Sequence, residues 1–123
     1  MKNSPYLSCI IIDDEPLARK GLREYIDAID FLEFEAEYDN ALKALPAIST
    51  EKTQLLLMDI EMPGISGIEA TRMIKNNLPQ INVLIQTVFS DDDSIFQAIC
   101  AGASGYILKT TSPEEYIQAL EDV

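Results

Sequence analysis

The sequence has no histidine and no tryptophan, and only nine lysine and arginine residues stand against twenty-one acids. Without histidine, any imidazole acid–base or nucleophilic step must come from another molecule. The net charge of −12 argues against this segment binding nucleic acid or an anionic lipid surface by itself. The two cysteines, Cys9 and Cys100, have no motif spacing and read as reduced, buried small hydrophobes of a cytoplasmic protein rather than as a disulfide. No apolar run is long enough to span a membrane. The first one is short and ends in acids, which excludes a signal peptide. No glycine-rich nucleotide loop occurs, so ATP is not expected as a direct phosphoryl donor.

What is present suits one globular domain of 123 residues, 47% of them hydrophobic. Strand and helix patterns alternate along it. Leu7–Ile12, Phe34–Tyr38, Leu55–Met58, Val83–Thr87 and Gly105–Leu108 read as strands. The second carries acids between its apolar residues, as expected near a sheet edge. Pro16 opens a helix in which Leu17, Leu22, Tyr25 and Ile26 recur at helical spacing. Asn40 is placed to cap a helix over Ala41–Ile48. Ser66-Gly67-Ile68-Glu69 is a capping box for a helix to about Asn77. The acids of Ser90–Asp93 favour a helix start, and that helix runs to about Ala101. Ser112-Pro113-Glu114-Glu115 is a second capping box, for a helix still running at Val123. The alternation predicts a (βα)5 domain, a parallel sheet with helices on both faces.

The chemistry lies at the strand ends. Leu55-Leu56-Leu57-Met58 stops at Asp59, and Ile10-Ile11-Ile12 stops at Asp13 and Asp14. In an open parallel sheet such ends adjoin and line the site. Two carboxylates ~4 Å apart repel by about 4 kcal/mol at an effective dielectric of ~20, so a hard divalent cation or a lysine is needed beside them. Lys109 ends the fifth strand and Thr87 the fourth. Each residue alone has a bland explanation: a helix N-terminal acid pair, a strand threonine, a lysine leaving the core. Four such strand ends together suit phosphoryl transfer to Asp59, which would give an acyl phosphate. The cation would offset charge, and Thr87 and Lys109 would hold the remaining oxygens.

Over essentially its whole length the chain resembles a response regulator receiver domain. The matching runs are Ile12-Asp13-Asp14-Glu15-Pro16, Met58-Asp59-Ile60-Glu61-Met62-Pro63-Gly64, Thr87, and Ala101-Gly102-Ala103-Ser104-Gly105-Tyr106-Ile107-Leu108-Lys109. The resemblance implies a flavodoxin-like fold with strand order 2-1-3-4-5. It implies that Asp59 accepts phosphate from a phosphohistidine on a sensor histidine kinase or phosphotransfer protein. Magnesium, with manganese as an alternative, would be bound by Asp14 and Asp59 directly, by Asp13 through water and by the Glu61 backbone carbonyl. Tyr106 would be the aromatic that turns inward when Thr87 moves toward the phosphate. The last two helices and fifth strand would change surface and could form a homodimer. The Ala101–Lys109 run with Thr110-Thr111-Ser112-Pro113-Glu114-Glu115 resembles receivers that precede LuxR-type helix-turn-helix domains, whereas Asp13–Arg19 resembles LytTR-type regulators. The longer match favours a LuxR-type output domain beyond the chain end, to which any DNA binding would belong. The pattern departs from the family at Thr110, where many receivers have proline, which leaves the peptide geometry after Lys109 open. Glu61 and Phe89 would flank the path of hydrolytic water.

Two other readings use the same residues. A haloacid-dehalogenase-type phosphatase also has a strand-end aspartate, a hydroxyl, a lysine and magnesium, and Asp59-Ile60-Glu61 looks like its acid-x-acid motif. Here, however, the acid pair comes first and no cap domain is present. An interaction module with a degenerate site is the third reading, against which stand the intact acids, Thr87 and Lys109.

Overall fold

Five apolar runs pair as a single parallel sheet in the computed structural model, which describes residues 7–48 and 52–121. The strands are β1 (Leu7–Ile12), β2 (Leu32–Tyr38), β3 (Leu55–Met58), β4 (Asn82–Thr87) and β5 (Gly105–Leu108). The helices are α1 (Pro16–Ala28), α2 (Ala41–Ala44), α3 (Gly67–Asn77), α4 (Asp92–Ala101) and α5 (Pro113–Glu121). The spatial strand order is β2-β1-β3-β4-β5, the order expected. This puts β1 and β3 side by side at the centre, with Ile12 opposite Met58, so that their following acids emerge together.

Period-two alternation sends neighbouring strand residues to opposite faces. Ile10, Ile12, Met58 and Ile85 pack with α3 and α4 on one face. Cys9, Ile11, Leu57 and Leu84 pack on the other with Leu22 and Ile26 of α1 and Tyr116 and Leu120 of α5. Tyr25 and Tyr116 stack there at 4.9 Å between ring centroids. Leu17, expected to recur with these residues, stands five and nine positions before Leu22 and Ile26, which puts it off their stripe, and it is 77% exposed. Among the described residues no helix is long and apolar enough to cross a membrane.

Several boundaries differ from the sequence reading. The Ala41–Ile48 segment is a short α-turn followed by a 3-10 turn over Leu45–Ala47, because Pro46 has no N–H to continue the α-helical ladder. Asn40 caps it as expected, accepting from the Lys43 N–H. β2 begins at Leu32 and β4 at Asn82. Pairing to a neighbour extends each beyond its apolar pattern. A register shift between Cys9 and Ile10 leaves Glu35 without a partner across β1, and its carboxylate accepts from the hydroxyls of Ser8 and Thr53. The Ser66 hydroxyl caps α3 at the Glu69 N–H, but Glu69 pairs with Arg72 instead of completing the box. Asp91 caps α4 at the Ser94 N–H, and Ser112 accepts from the Glu115 N–H. Cys9 is buried as expected, but Cys100 is exposed. α4 turns Ala98 and Ala101 to the sheet, which leaves Ile99 and Cys100 outside. Val123 lies outside the described residues, and with it the expected run of the last helix.

Candidate functional site

At the C-terminal edge of the sheet, β1 delivers Asp13 and Asp14, β3 delivers Asp59, β4 ends at Thr87, and Lys109 follows β5. Asp13, Asp59 and Thr87 are buried, Asp14 is exposed, and Lys109 lies between. The Lys109 Nζ stands 2.9 Å from Asp13 Oδ2 and 3.1 Å from Asp59 Oδ2, with Glu15 Oε1 at 3.7 Å. One ammonium thus serves two buried carboxylates that would otherwise repel. The Asp59 backbone is tied into the sheet by its N–H to the Ile12 carbonyl, and its Oδ1 accepts from the Ile60 N–H at 2.7 Å.

The electrostatics follow from this packing. Burial pushes the Asp13 carboxyl above its ordinary range, against the Glu15 N–H and Lys109; the Asp59 charge adds to the rise. Burial pulls Lys109 down, but the bonds and charges of Asp13 and Asp59 outweigh it and leave the ammonium above its usual value. Burial, with the Asp91 and Asp59 charges behind it, also raises the Tyr106 phenol.

The donor set fits a hard cation. Asp13, Asp14 and Asp59 each offer a carboxylate oxygen, and these oxygens lie within 4.8 Å of one another. Oxygen-only donors with an open side match magnesium, which keeps several waters. An open depression at the mouth is lined by Asp14, Glu15, Glu61, Met62, Val88 and Lys109, among others. Glu61 and Phe89 also share a neighbouring depression with Ile60, Gly64, Ser66 and Ser94.

Thr87 and Tyr106 sit on the α3–α4 face behind the acids. The Tyr106 hydroxyl donates to the Phe89 carbonyl at 2.7 Å, and Thr87 Oγ1 accepts a long bond from the Phe89 N–H at 3.4 Å. The peptide after Lys109 is trans, as are all those among the described residues. The Lys109 N–H donates to the Thr87 carbonyl, and the Thr111 N–H to that of Leu108.

Three contributors were not singled out from sequence. Glu15 provides the N–H that Asp13 Oδ1 accepts, at 2.9 Å. Arg19 Nη1 donates to the Asp13 carbonyl at 2.7 Å. Gly67 starts α3 where a Cβ would lie 1.9 Å from the Asp59 carbonyl oxygen, so only glycine fits the present backbone. The capping box flagged this segment, but a close approach between two backbones leaves no periodic trace.

The fold and the site define a flavodoxin-like α/β domain with an acidic, lysine-bridged pocket at its sheet edge. The chain belongs to the response regulator receiver domain family, whose pattern matches residues 9–121. It is 36% identical over 118 residues to the uncharacterized transcriptional regulatory protein YxjL of Bacillus subtilis (strain 168), covering 96% of this chain and 54% of that protein. It is 35% identical over 114 residues to the response regulator protein VraR of Staphylococcus aureus, covering 93% of this chain and 54% of that one. The chain therefore spans about half the length of these curated relatives. Among solved structures, a LuxR-family two-component response regulator from Aurantimonas sp. SI85-9A1 superposes with a TM-score of 0.87 at 33% identity, over 94% of this chain and 83% of that one.

Proposed function

We propose that the domain is a phosphorylation switch in which Asp59 accepts a phosphoryl group from a histidine kinase or phosphotransfer protein. The observation that carries this reading is the convergence on Asp59 of the acid pair and the Lys109 ammonium. A carboxylate oxygen of Asp59 attacks phosphorus. The P–N bond of the donor phosphohistidine breaks, and its electron pair leaves with the imidazole, which takes up a proton. Asp59 then carries an acyl phosphate. Magnesium, or manganese, supplies charge compensation between the carboxylate and the phosphoryl oxygens when bound. Asp14 and Asp59 would hold it directly, Asp13 through water, and the Glu61 carbonyl would be a further ligand. Lys109 moves its bonds from the carboxylates to a phosphoryl oxygen, and the Thr87 hydroxyl takes another. The phosphoryl group thereby withdraws Thr87 from Phe89 and changes the surface of α4, β5 and α5. Tyr106 is the aromatic that follows.

The domain is a signalling acceptor that assists its own phosphorylation and hydrolysis rather than a turnover enzyme. The match to the receiver family outweighs the phosphatase reading. Relatives that are transcriptional regulators, and LuxR-family structures, support a receiver that controls transcription through a LuxR-type DNA-binding domain in the whole protein. A homodimer through α4, β5 and α5 is the proposed change of state, and the cytoplasm the proposed site of action.

The test uses magnesium and a small phosphodonor such as acetyl phosphate. Intact mass is expected to rise by one phosphoryl group that hydroxylamine removes. Equal modification of Asp59→Asn would overturn the assignment.

A further inference from the structure

Arg19 sits where helix energetics disfavour it. It belongs to the first turn of α1, which carries no acid, although the helix dipole favours anions at that end. Its side chain is only 18% exposed, so it is not simply solvated. Its two contacts explain the placement. Nη1 donates to the Asp13 carbonyl at 2.7 Å, and Nε pairs with Glu37 Oε1 at 2.8 Å. Arg23 Nη1 stands 4.0 Å from the other Glu37 oxygen.

The Asp13 carbonyl shares its peptide plane with the Asp14 N–H. Fixing the carbonyl fixes that plane, and with it the direction in which Asp14 leaves the backbone. Asp14 is exposed, so its position depends on the backbone beneath it. The rest of Asp13 is held as well: its N–H donates to the Tyr38 carbonyl, Oδ1 accepts from the Glu15 N–H, and Oδ2 meets Lys109. The end of β2 thus enters the loop twice, through the Tyr38 carbonyl and through Glu37 by way of Arg19. A guanidinium suits this task because its planar fork can hold a carbonyl and a carboxylate in fixed relative directions, which a lysine ammonium cannot.

We propose that Arg19, braced by Glu37, is a positioning residue of the acidic site: it sets the Asp13–Asp14 backbone in the geometry that receives a divalent cation. This rests on the reading of Asp13, Asp14 and Asp59 as a cation site. Neither Arg19 nor Glu37 touches the cation, so their effect must appear as a change in affinity and in loop order, not as the loss of a donor.

The experiment titrates the whole chain with magnesium chloride and follows amide exchange at Asp14 and Glu15 without metal. Arg19→Met keeps helix propensity and length, and is expected to weaken magnesium about tenfold and speed exchange at both amides. Glu37→Val keeps strand propensity on the sheet edge, and is expected to weaken magnesium about threefold. The double variant should be no weaker than Arg19→Met, since the two act as one unit. Arg19→Lys should recover only part of the loss. If Arg19→Met does not fold, Glu37→Val and Arg19→Lys carry the same test. Parent-like magnesium affinity and exchange in these variants would overturn the proposal while leaving the cation site standing. A parent that does not respond to magnesium would overturn the site and, with it, the proposal.

Discussion

Thr87 and Tyr106 meet at the backbone of one residue, Phe89: the threonine hydroxyl accepts from its N–H and the tyrosine hydroxyl donates to its carbonyl. The tyrosine bond is 2.7 Å and the threonine bond 3.4 Å. A pull on Thr87 toward Asp59 would break the longer bond first and leave the loop hanging on Tyr106. Tyr106→Phe is therefore expected to lower stability by about 1 kcal/mol, the usual worth of one hydrogen bond. It should leave the yield of acyl phosphate unchanged. Hydrogen exchange with and without beryllofluoride is expected to show a weakened response on α4 and β5. A parent-like response would show that the linkage through Phe89 is not used.

Lys109 is expected to behave as a stand-in for a cation. Lys109→Met leaves Asp13 and Asp59 without the ammonium they share, and should destabilise the metal-free protein by about 1–3 kcal/mol. Magnesium should restore more of the melting temperature in this variant than in the parent. Asp14→Ala should remove most of the magnesium response instead. Equal gains in all three proteins would put the ion elsewhere.

The lifetime of the acyl phosphate should depend on Glu61 and Phe89, which border one depression next to Ile60. Glu61 brings negative charge to the path of an incoming water, and Phe89 fills space. Glu61→Asn with Phe89→Ala is expected to speed dephosphorylation about tenfold, a change of about 1.4 kcal/mol in the barrier. Loss of phosphate at the parent rate, followed by intact mass over time, would exclude this gating.

Alkaline pH should erode stability from the α1–α5 face of the sheet. Burial pushes the Cys9 thiol well above its ordinary 9.0, and the Tyr116 phenol, which donates to Gln86 Oε1, well above 10.0. Above pH 9 the unfolded chain releases protons that the folded chain keeps. Unfolded protein then binds fewer protons than native, so the free energy of unfolding falls as pH rises. Urea titrations from pH 8 to 11 are expected to show this decline. Cys9→Ala should flatten its first part and Tyr116→Phe its second.

The acids, Thr87 and Lys109 were legible because each ends an apolar strand, and parallel strands bring such ends to one edge by topology alone. Strand order came from resemblance, since pairing partners leave no mark in a single apolar run. Arg19 and Gly67 were not legible as site residues. What each meets at the site is backbone, Asp13 in one case and Asp59 in the other, and main-chain partners carry no residue identity to read. Cys100 was misplaced because α4 is apolar around much of its circumference, with Phe96 and Ile99 exposed, so its inner face is not marked by hydropathy. In Ala41–Ile48 the apolar periodicity outweighed Pro46, whose missing N–H changes the helix type.

Gly67 makes the surroundings of Asp59 mechanically one-sided. The start of α3 abuts the Asp59 carbonyl with no room for even a methyl group, and the Gly67 N–H is bonded to the Ile60 carbonyl at 2.7 Å. Toward α3, Asp59 therefore rests against a stop, since backbone cannot be compressed into backbone. The Phe89 segment, which shares a depression with Ser66 at the start of α3, hangs instead from two hydroxyls, and such contacts yield for about 1 kcal/mol each. If Asp59 is phosphorylated as proposed, this contrast in stiffness is expected to pass the displacement to the softer Phe89 segment, ahead of α4, rather than to α3.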